Sequence, residues 1–198
     1  MELYLANINN VSLDSVNQLD QNRKEKCERL KLTADKKRCI AGGLLINKFL
    51  NGAKISTNEF GKPVADNGKK FNISHSGQYV LFALSENEVG CDIQKVGYVR
   101  ATEMAKIIFC DEEIKLLNNS PDKLKTFFDL WTKKESFLKC IGSGFHRSGK
   151  SVDTSGNTFE ENGQKYYFKT FCFSDYVITV CSVKNDFPSY IQFLDLPQ

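Results

Sequence analysis

At 198 residues with 41% hydrophobic content the chain can bury a core as one globular domain or two small ones, which excludes a disordered tail. No apolar run approaches the roughly 20 residues of a membrane span, and the first ten residues read as a short strand instead of a secretory leader. Seven cysteines, an odd number without a Cys-x-x-Cys pair, point to free thiols in a reducing cytoplasm, and a formal charge of +3 is too small to mark a nucleic-acid binder.

In chain order, residues 3–8 alternate as a strand does, and helical segments follow around 14–30. Basic residues gather there and just beyond, at Arg23, Lys24, Lys26, Arg29, Lys31 and Lys36 to Arg38, as suits a phosphorylated ligand or an acidic partner. Thr33 is expected to cap the next helix, whose stripe of Ile40, Leu44, Leu45 and Phe49 ends at Asn51-Gly52. Residues 54–56 read as a strand and Gly61-Lys62-Pro63 as punctuation. Three strands are predicted at 71–74, 79–84 and 89–94, the last two joined by a tight turn at Glu86-Asn87-Glu88. The second half predicts helices at 100–108 and 111–117. A long helix then starts from Ser120-Pro121, runs to about residue 140, and is stopped by Gly142 and Gly144. Strands at 158–160, 165–173 (after an Asn162-Gly163 turn) and 176–183 complete an α+β pattern, with a boundary placed between residues 86 and 97.

Chemistry concentrates in three places. On the long helix Leu124, Phe127, Phe128, Trp131 and Leu138 share an apolar face, with Glu135 in its middle and Lys139 one turn on at its edge. Such an inward carboxylate reads either as half of an intrahelical salt bridge or as a cleft or metal ligand. On the strand 89–94, alternation puts Asp92 and Gln94 on one face and Cys91 and Ile93 on the other. Two oxygen donors at i and i+2 suit a hard cation, although they also suit a plain solvent face. The run Phe71-Asn72-Ile73-Ser74-His75-Ser76-Gly77 ends a strand in hydroxyls and an imidazole, fit for phosphate oxygens or for capping a polar turn.

In order and spacing, Gly61-Lys62-Pro63, Phe71 to Gly77, Val89-Gly90-Cys91-Asp92-Ile93-Gln94 and Trp131-Thr132-Lys133-Lys134-Glu135-Ser136-Phe137-Leu138-Lys139 resemble the 4′-phosphopantetheinyl transferases of the surfactin-synthetase-activating type. The resemblance covers roughly residues 20 to 185. It implies a pseudo-twofold pair of similar α+β subdomains, residues 1–88 and 89–198, with the ligand in the cleft between them. It further implies an enzyme that moves the phosphopantetheine arm of coenzyme A onto a serine of an acyl or peptidyl carrier protein, using Mg2+. Asp92, Gln94 and Glu135 would hold the metal, and Glu135, Lys139 and Asp92 would carry the catalysis. Arg23, Lys26, Arg38, Ser74, His75 and Lys139 would hold coenzyme A phosphates, with Lys62 and Pro63 along the adenine end. Gln94 departs from the family pattern, which has Glu there; an amide oxygen still coordinates but brings no charge. A monomer is expected, with neither nucleic acid nor membrane as partner. A coenzyme A binder without transfer activity would have no use for the Glu135 and Lys139 arrangement, and a nucleic-acid module would need a broader basic surface.

Overall fold

The computed structural model describes residues 1–144 and 147–196. The chain opens with β1 (Glu2–Asn7), two 3-10 turns, α1 (Gln21–Glu28) and α2 (Thr33–Leu50). A small ribbon of β2 (Ile55–Thr57) and β3 (Pro63–Ala65) leads to β4 (Lys70–Ser76), β5 (Tyr79–Ser85) and β6 (Val89–Lys95). Three helices follow, α3 (Ala101–Ile108), α4 (Asp111–Asn119) and α5 (Lys123–Ile141), and then β7 (Thr158–Glu161), β8 (Gln164–Phe173), β9 (Tyr176–Ser182) and β10 (Gln192–Leu194).

The strands form two sheets of four, in the orders β10-β1-β5-β4 and β6-β9-β8-β7 among the described residues. The connectivity repeats. In each half the first strand pairs antiparallel with the last, and the last pairs antiparallel with the strand before it: β1-β5-β4 in one, β6-β9-β8 in the other. Helices are inserted after the first strand of each half, so the chain is an α+β pair of like units. One element crosses over: β10, from the C-terminal end, lies parallel to β1 with Tyr4 opposite Gln192.

Period-two burial sets the layers. Val80, Phe82 and Leu84 of β5 pack with Ile40, Leu44 and Leu45 of α2. Leu81 and Ala83 face the other way and meet Cys91, Ile93, Ile178 and Val180 of the second sheet. The central strands β5 and β9 are buried along their whole length. The far side of the second sheet carries α5, and contact there is close enough to dictate composition. A Cβ on Gly90 would lie 2.1 Å from the Ser136 carbonyl and 2.3 Å from the Cys140 nitrogen, so only glycine lets β6 and α5 approach this far.

Several expectations are corrected. Thr33 is the first residue of α2 and not its cap; Leu32 stands at the cap without a side-chain bond. Asp122 caps α5, accepting from the Lys125 N–H at 3.0 Å, because Pro121 holds Ser120 extended and outside the helix. The strands on either side of Glu86-Asn87-Glu88 do not pair. Both edges of β5 are already taken by β1 and β4, so β6 begins the second sheet. The strands β3 and β10 were not expected, one because Pro63 reads as a breaker and the other because three residues show no alternation. The Asn162-Gly163 turn is as expected, with φ of 51° and 76° at its two residues.

Where the two sheets meet, β4 and β6 run side by side without a backbone ladder. The N–H groups of Cys91, Ile93 and Lys95 donate instead to Asn72 Oδ1 (2.9 Å), Ser74 Oγ (3.3 Å) and Ser76 Oγ (3.0 Å), each pair 19 residues apart. A polar face of β4 at i, i+2 and i+4 thus satisfies the open edge of β6.

Candidate active site

Asp92 sits in this seam with 1% of its surface exposed. Strand alternation turns it toward α5, while Cys91 and Ile93 enter the apolar layer between the sheets. Its Oδ1 accepts from the Lys139 ammonium at 2.5 Å and from the Ser74 hydroxyl at 2.8 Å, and its Oδ2 accepts from the Gln94 amide at 3.1 Å. Lys139 reaches it from the last turn of α5, because helical side chains lean back toward the N-terminus. Burial alone would lower the Lys139 pKa, but the Asp92 carboxylate outweighs it and holds the ammonium above its usual value.

Glu135 lies one turn before Lys139 on the same side of α5. Burial above all raises its pKa, Lys139 pulls it down and Asp92 adds to the rise, which together bring it up to about 7. Glu135 thus feels the charges of both Lys139 and Asp92, although the cavity it lines is walled by Trp131, Leu138 and Arg147 and not by Asp92. Two carboxylates and one amide whose oxygen can be turned inward form a donor set of hard oxygens, and this fits a hard divalent cation better than it fits zinc or iron. The Lys139 ammonium is bonded to Asp92 across the seam, and no Glu135–Lys139 ion pair forms among the described residues.

The basic residues approach from the α1–α2 side of the first sheet. His75 is exposed, yet the protein atoms behind its ring lower its pKa, and the Arg38 and Lys139 cations lower it further. Arg38 donates to the Gly77 carbonyl and pairs with Asp35 at 2.5 Å, leaving further N–H groups of its fork for a ligand. Arg23 lies over Gly42, where a Cβ would meet its Nη1 at 3.7 Å and Ile73 at 3.9 Å, one pleat from His75. Lys26 is exposed one turn further along α1. Lys62 and Pro63 lie on the wall of a cavity of about 440 Å³ that also has Lys70, Phe71, Glu88 and Tyr166 in its lining. There the Lys62 ammonium donates to Glu88 (2.8 Å) and to the Cys140 carbonyl (2.7 Å).

Ser74, the expected phosphate donor, lies in the seam. It is 6% exposed, and its hydroxyl donates to Asp92 while accepting from Ile93 N–H and from Lys139 at 3.1 Å. One donor and two acceptor positions are all that a hydroxyl has, and these three bonds use them.

Lys134 was missed. It is 1% exposed, pairs with the fully buried Glu113 at 2.8 Å, and donates to the carbonyls of Gly149 (2.7 Å) and Val152 (2.6 Å). The apolar stripe predicted for α5 was too narrow, because the helix is enclosed by a sheet on one side and by α3, α4 and the segment 147–154 on others. Nothing in the local pattern marks that both adjacent lysines are swallowed, Lys133 being 5% exposed. Glu113 also forms, with Cys110 and Asp153, a cluster whose ligand atoms lie within 4.8 Å. Its carboxylate already accepts from Cys110 N–H (2.9 Å), from the Thr154 N–H (2.7 Å) and hydroxyl (2.6 Å), and from Lys134, which fills its lone pairs and makes it a structural tie instead of a metal centre.

Fold and site define an enzyme of two like α+β halves with an acid–lysine centre at their junction. The family model described as the 4′-phosphopantetheinyl transferase superfamily matches residues 88–181, the span that holds Asp92, Gln94, Glu135 and Lys139. The 4′-phosphopantetheinyl transferase ffp of Bacillus subtilis is 30% identical over 196 residues, covering 87% of this chain and 85% of its own. The transferase Sfp of Bacillus subtilis (strain 168) is 29% identical over 192 residues, 85% of this chain and 84% of its own, and gsp of Aneurinibacillus migulanus is 35% identical over 121 residues, 57% and 51%. The chain belongs to the 4′-phosphopantetheinyl transferase superfamily.

Proposed function

We propose that the chain transfers the 4′-phosphopantetheine moiety of coenzyme A to a serine of an acyl or peptidyl carrier protein, giving holo-carrier protein and 3′,5′-ADP, with magnesium at the seam. The observation that carries the reading is the Asp92–Lys139 ion pair across the α5–β6 contact, with Glu135 one turn back on α5 and His75 both under the influence of its charges. Asp92, Gln94 and Glu135 are the residues that would hold the cation, which would supply positive charge against the diphosphate oxygens. Arg23, Lys26, Arg38 and His75 take the coenzyme A phosphates, and Lys62 with Pro63 lines the adenine end. Glu135 is the carboxylate assigned to accept the serine proton as the serine oxygen bonds to phosphorus and the bond to the ADP oxygen breaks. Lys139 neutralises charge on the departing group, a task of position and electrostatics and not of covalent catalysis.

The halves are residues 1–88 and 89–198, with β10 returning to the first sheet, and two like halves in one chain favour a monomer. No helix among the described residues is long and apolar enough to cross a membrane. Incubation with apo carrier protein, coenzyme A and magnesium, followed by intact mass spectrometry of the carrier, tests the reading. A mass gain equal to the phosphopantetheine arm is expected with the wild type and not with Glu135→Ala. A carrier of unchanged mass in the wild-type reaction, across fatty-acid, polyketide and peptide carriers, would sink it.

A further inference from the structure

Of the three β4 residues that stitch the seam, Asn72 and Ser76 bond the β6 strand, whereas Ser74 bonds β6 and the charged centre together. We propose that Ser74 is a positioning residue for the transfer reaction and not a phosphate ligand: its hydroxyl locks the Asp92 carboxylate so that Oδ1 is saturated and Oδ2 is the oxygen offered to the cation. The proposal rests on Asp92 being a metal ligand.

The two oxygens of Asp92 are made unequal by their partners. Oδ1 takes the Ser74 hydroxyl at 2.8 Å and the Lys139 ammonium at 2.5 Å, while Oδ2 takes only the Gln94 amide at 3.1 Å among the described residues. Ser74 is itself held, because its oxygen accepts from the Ile93 N–H of the strand that carries Asp92. A closed ring of Ser74, Asp92 and the β6 backbone leaves the carboxylate little rotational freedom, which is what a ligand must lack if it is to wait preorganised for a cation. Were the hydroxyl to turn its proton to a phosphate, a carboxylate that is 1% exposed would lose a donor.

The test uses the full chain with Ser74→Ala, Ser74→Thr and Ser76→Ala. Magnesium binding is measured by calorimetry with coenzyme A present, together with kcat and KM for coenzyme A and dephospho-coenzyme A. Ser74→Ala is expected to weaken magnesium binding by about tenfold or more, as loss of a hydrogen bond to a charged group does, and to lower kcat while KM for coenzyme A stays within about twofold. Ser74→Thr keeps the hydroxyl and should restore most of both. Ser76→Ala should lower the melting temperature without moving magnesium affinity, since its hydroxyl serves the Lys95 N–H alone in the seam. A rise in KM for coenzyme A but not for dephospho-coenzyme A, with magnesium affinity unchanged, would make Ser74 a phosphate ligand and overturn the proposal. Equal losses of magnesium affinity in Ser74→Ala and Ser76→Ala would overturn it too, by reducing Ser74 to part of the seam. Should Ser74→Ala not fold, Ser74→Cys carries the same comparison. If the wild type takes up no magnesium, the metal reading fails and the proposal falls with it; a wild type that binds magnesium and a Ser74→Ala that binds it as tightly would overturn the proposal alone.

Discussion

Glu135 pays in stability for its position. Its folded pKa of about 7 lies above its ordinary value of 4.5, so the folded state binds the proton more tightly than the unfolded one. Stability from this group is therefore full below about pH 4.5 and is lost as pH rises through about 7. Without metal, Glu135→Gln should match wild type near pH 4.5 and melt a few degrees higher at pH 8, since about 1 kcal/mol moves the melting temperature about 2–4 °C in a chain of this size. The same variant should lose at least about a hundredfold in transfer rate, as loss of a general base does. Equal melting temperatures at pH 8 would mean that Glu135 is not the desolvated group. Lys26, exposed on α1, supports a cleaner reading of phosphate recognition, because replacing it disturbs no buried contact. Lys26→Ala should cut the preference for coenzyme A over dephospho-coenzyme A by about tenfold, the usual weight of one charge-assisted bond; an unchanged preference removes Lys26 from the phosphate site.

Helix α5 couples the active centre to the rest of its half through the pair of Lys134 and Glu113. Glu113 is enclosed and its carboxylate holds α4, α5 and Thr154 together, so Glu113→Ala leaves an uncompensated ammonium in the interior. A loss of about 3–5 kcal/mol in a chemical-denaturation curve is expected, and Lys134→Met combined with Glu113→Leu should be much milder. Equal losses in the single and the double variant would show that packing, not the orphaned charge, sets the cost. The helix itself was legible in the sequence, though its cap lies at Asp122 and not Ser120, as was the sharing of one face by Glu135 and Lys139, because the 3.6-residue period is a local property. Burial of Lys134 was not legible, since it depends on α4 and the segment around Gly149 arriving from outside the helix.

The whole molecule is two like units joined by a polar seam and by one strand that returns. β10 lies parallel to β1 and covers an edge of the first sheet, with Phe193 set against Phe173 of the second at 4.9 Å between ring centroids. Deleting residues 190–198 should lower the melting temperature and quicken amide exchange in β1, while β8 and β9 keep their protection. Unchanged exchange in β1 would mean that β10 contributes nothing to the first sheet.

The α+β class, most element positions, the side on which Asp92 and Gln94 lie and the family resemblance all follow from short-range patterns, which the chain carries wherever it is read. The tertiary structure decided that β6 leaves the sheet of β5, that β10 returns to β1, and that Lys139 bonds Asp92 from 47 residues away. It also decided that Ser74, which the sequence offers as a phosphate donor, has its hydroxyl filled by the seam. The reason is the same in each case: a residue's remaining hydrogen-bonding capacity and a strand's open edge are set by whichever distant groups reach them first, and local periodicity says nothing of those groups.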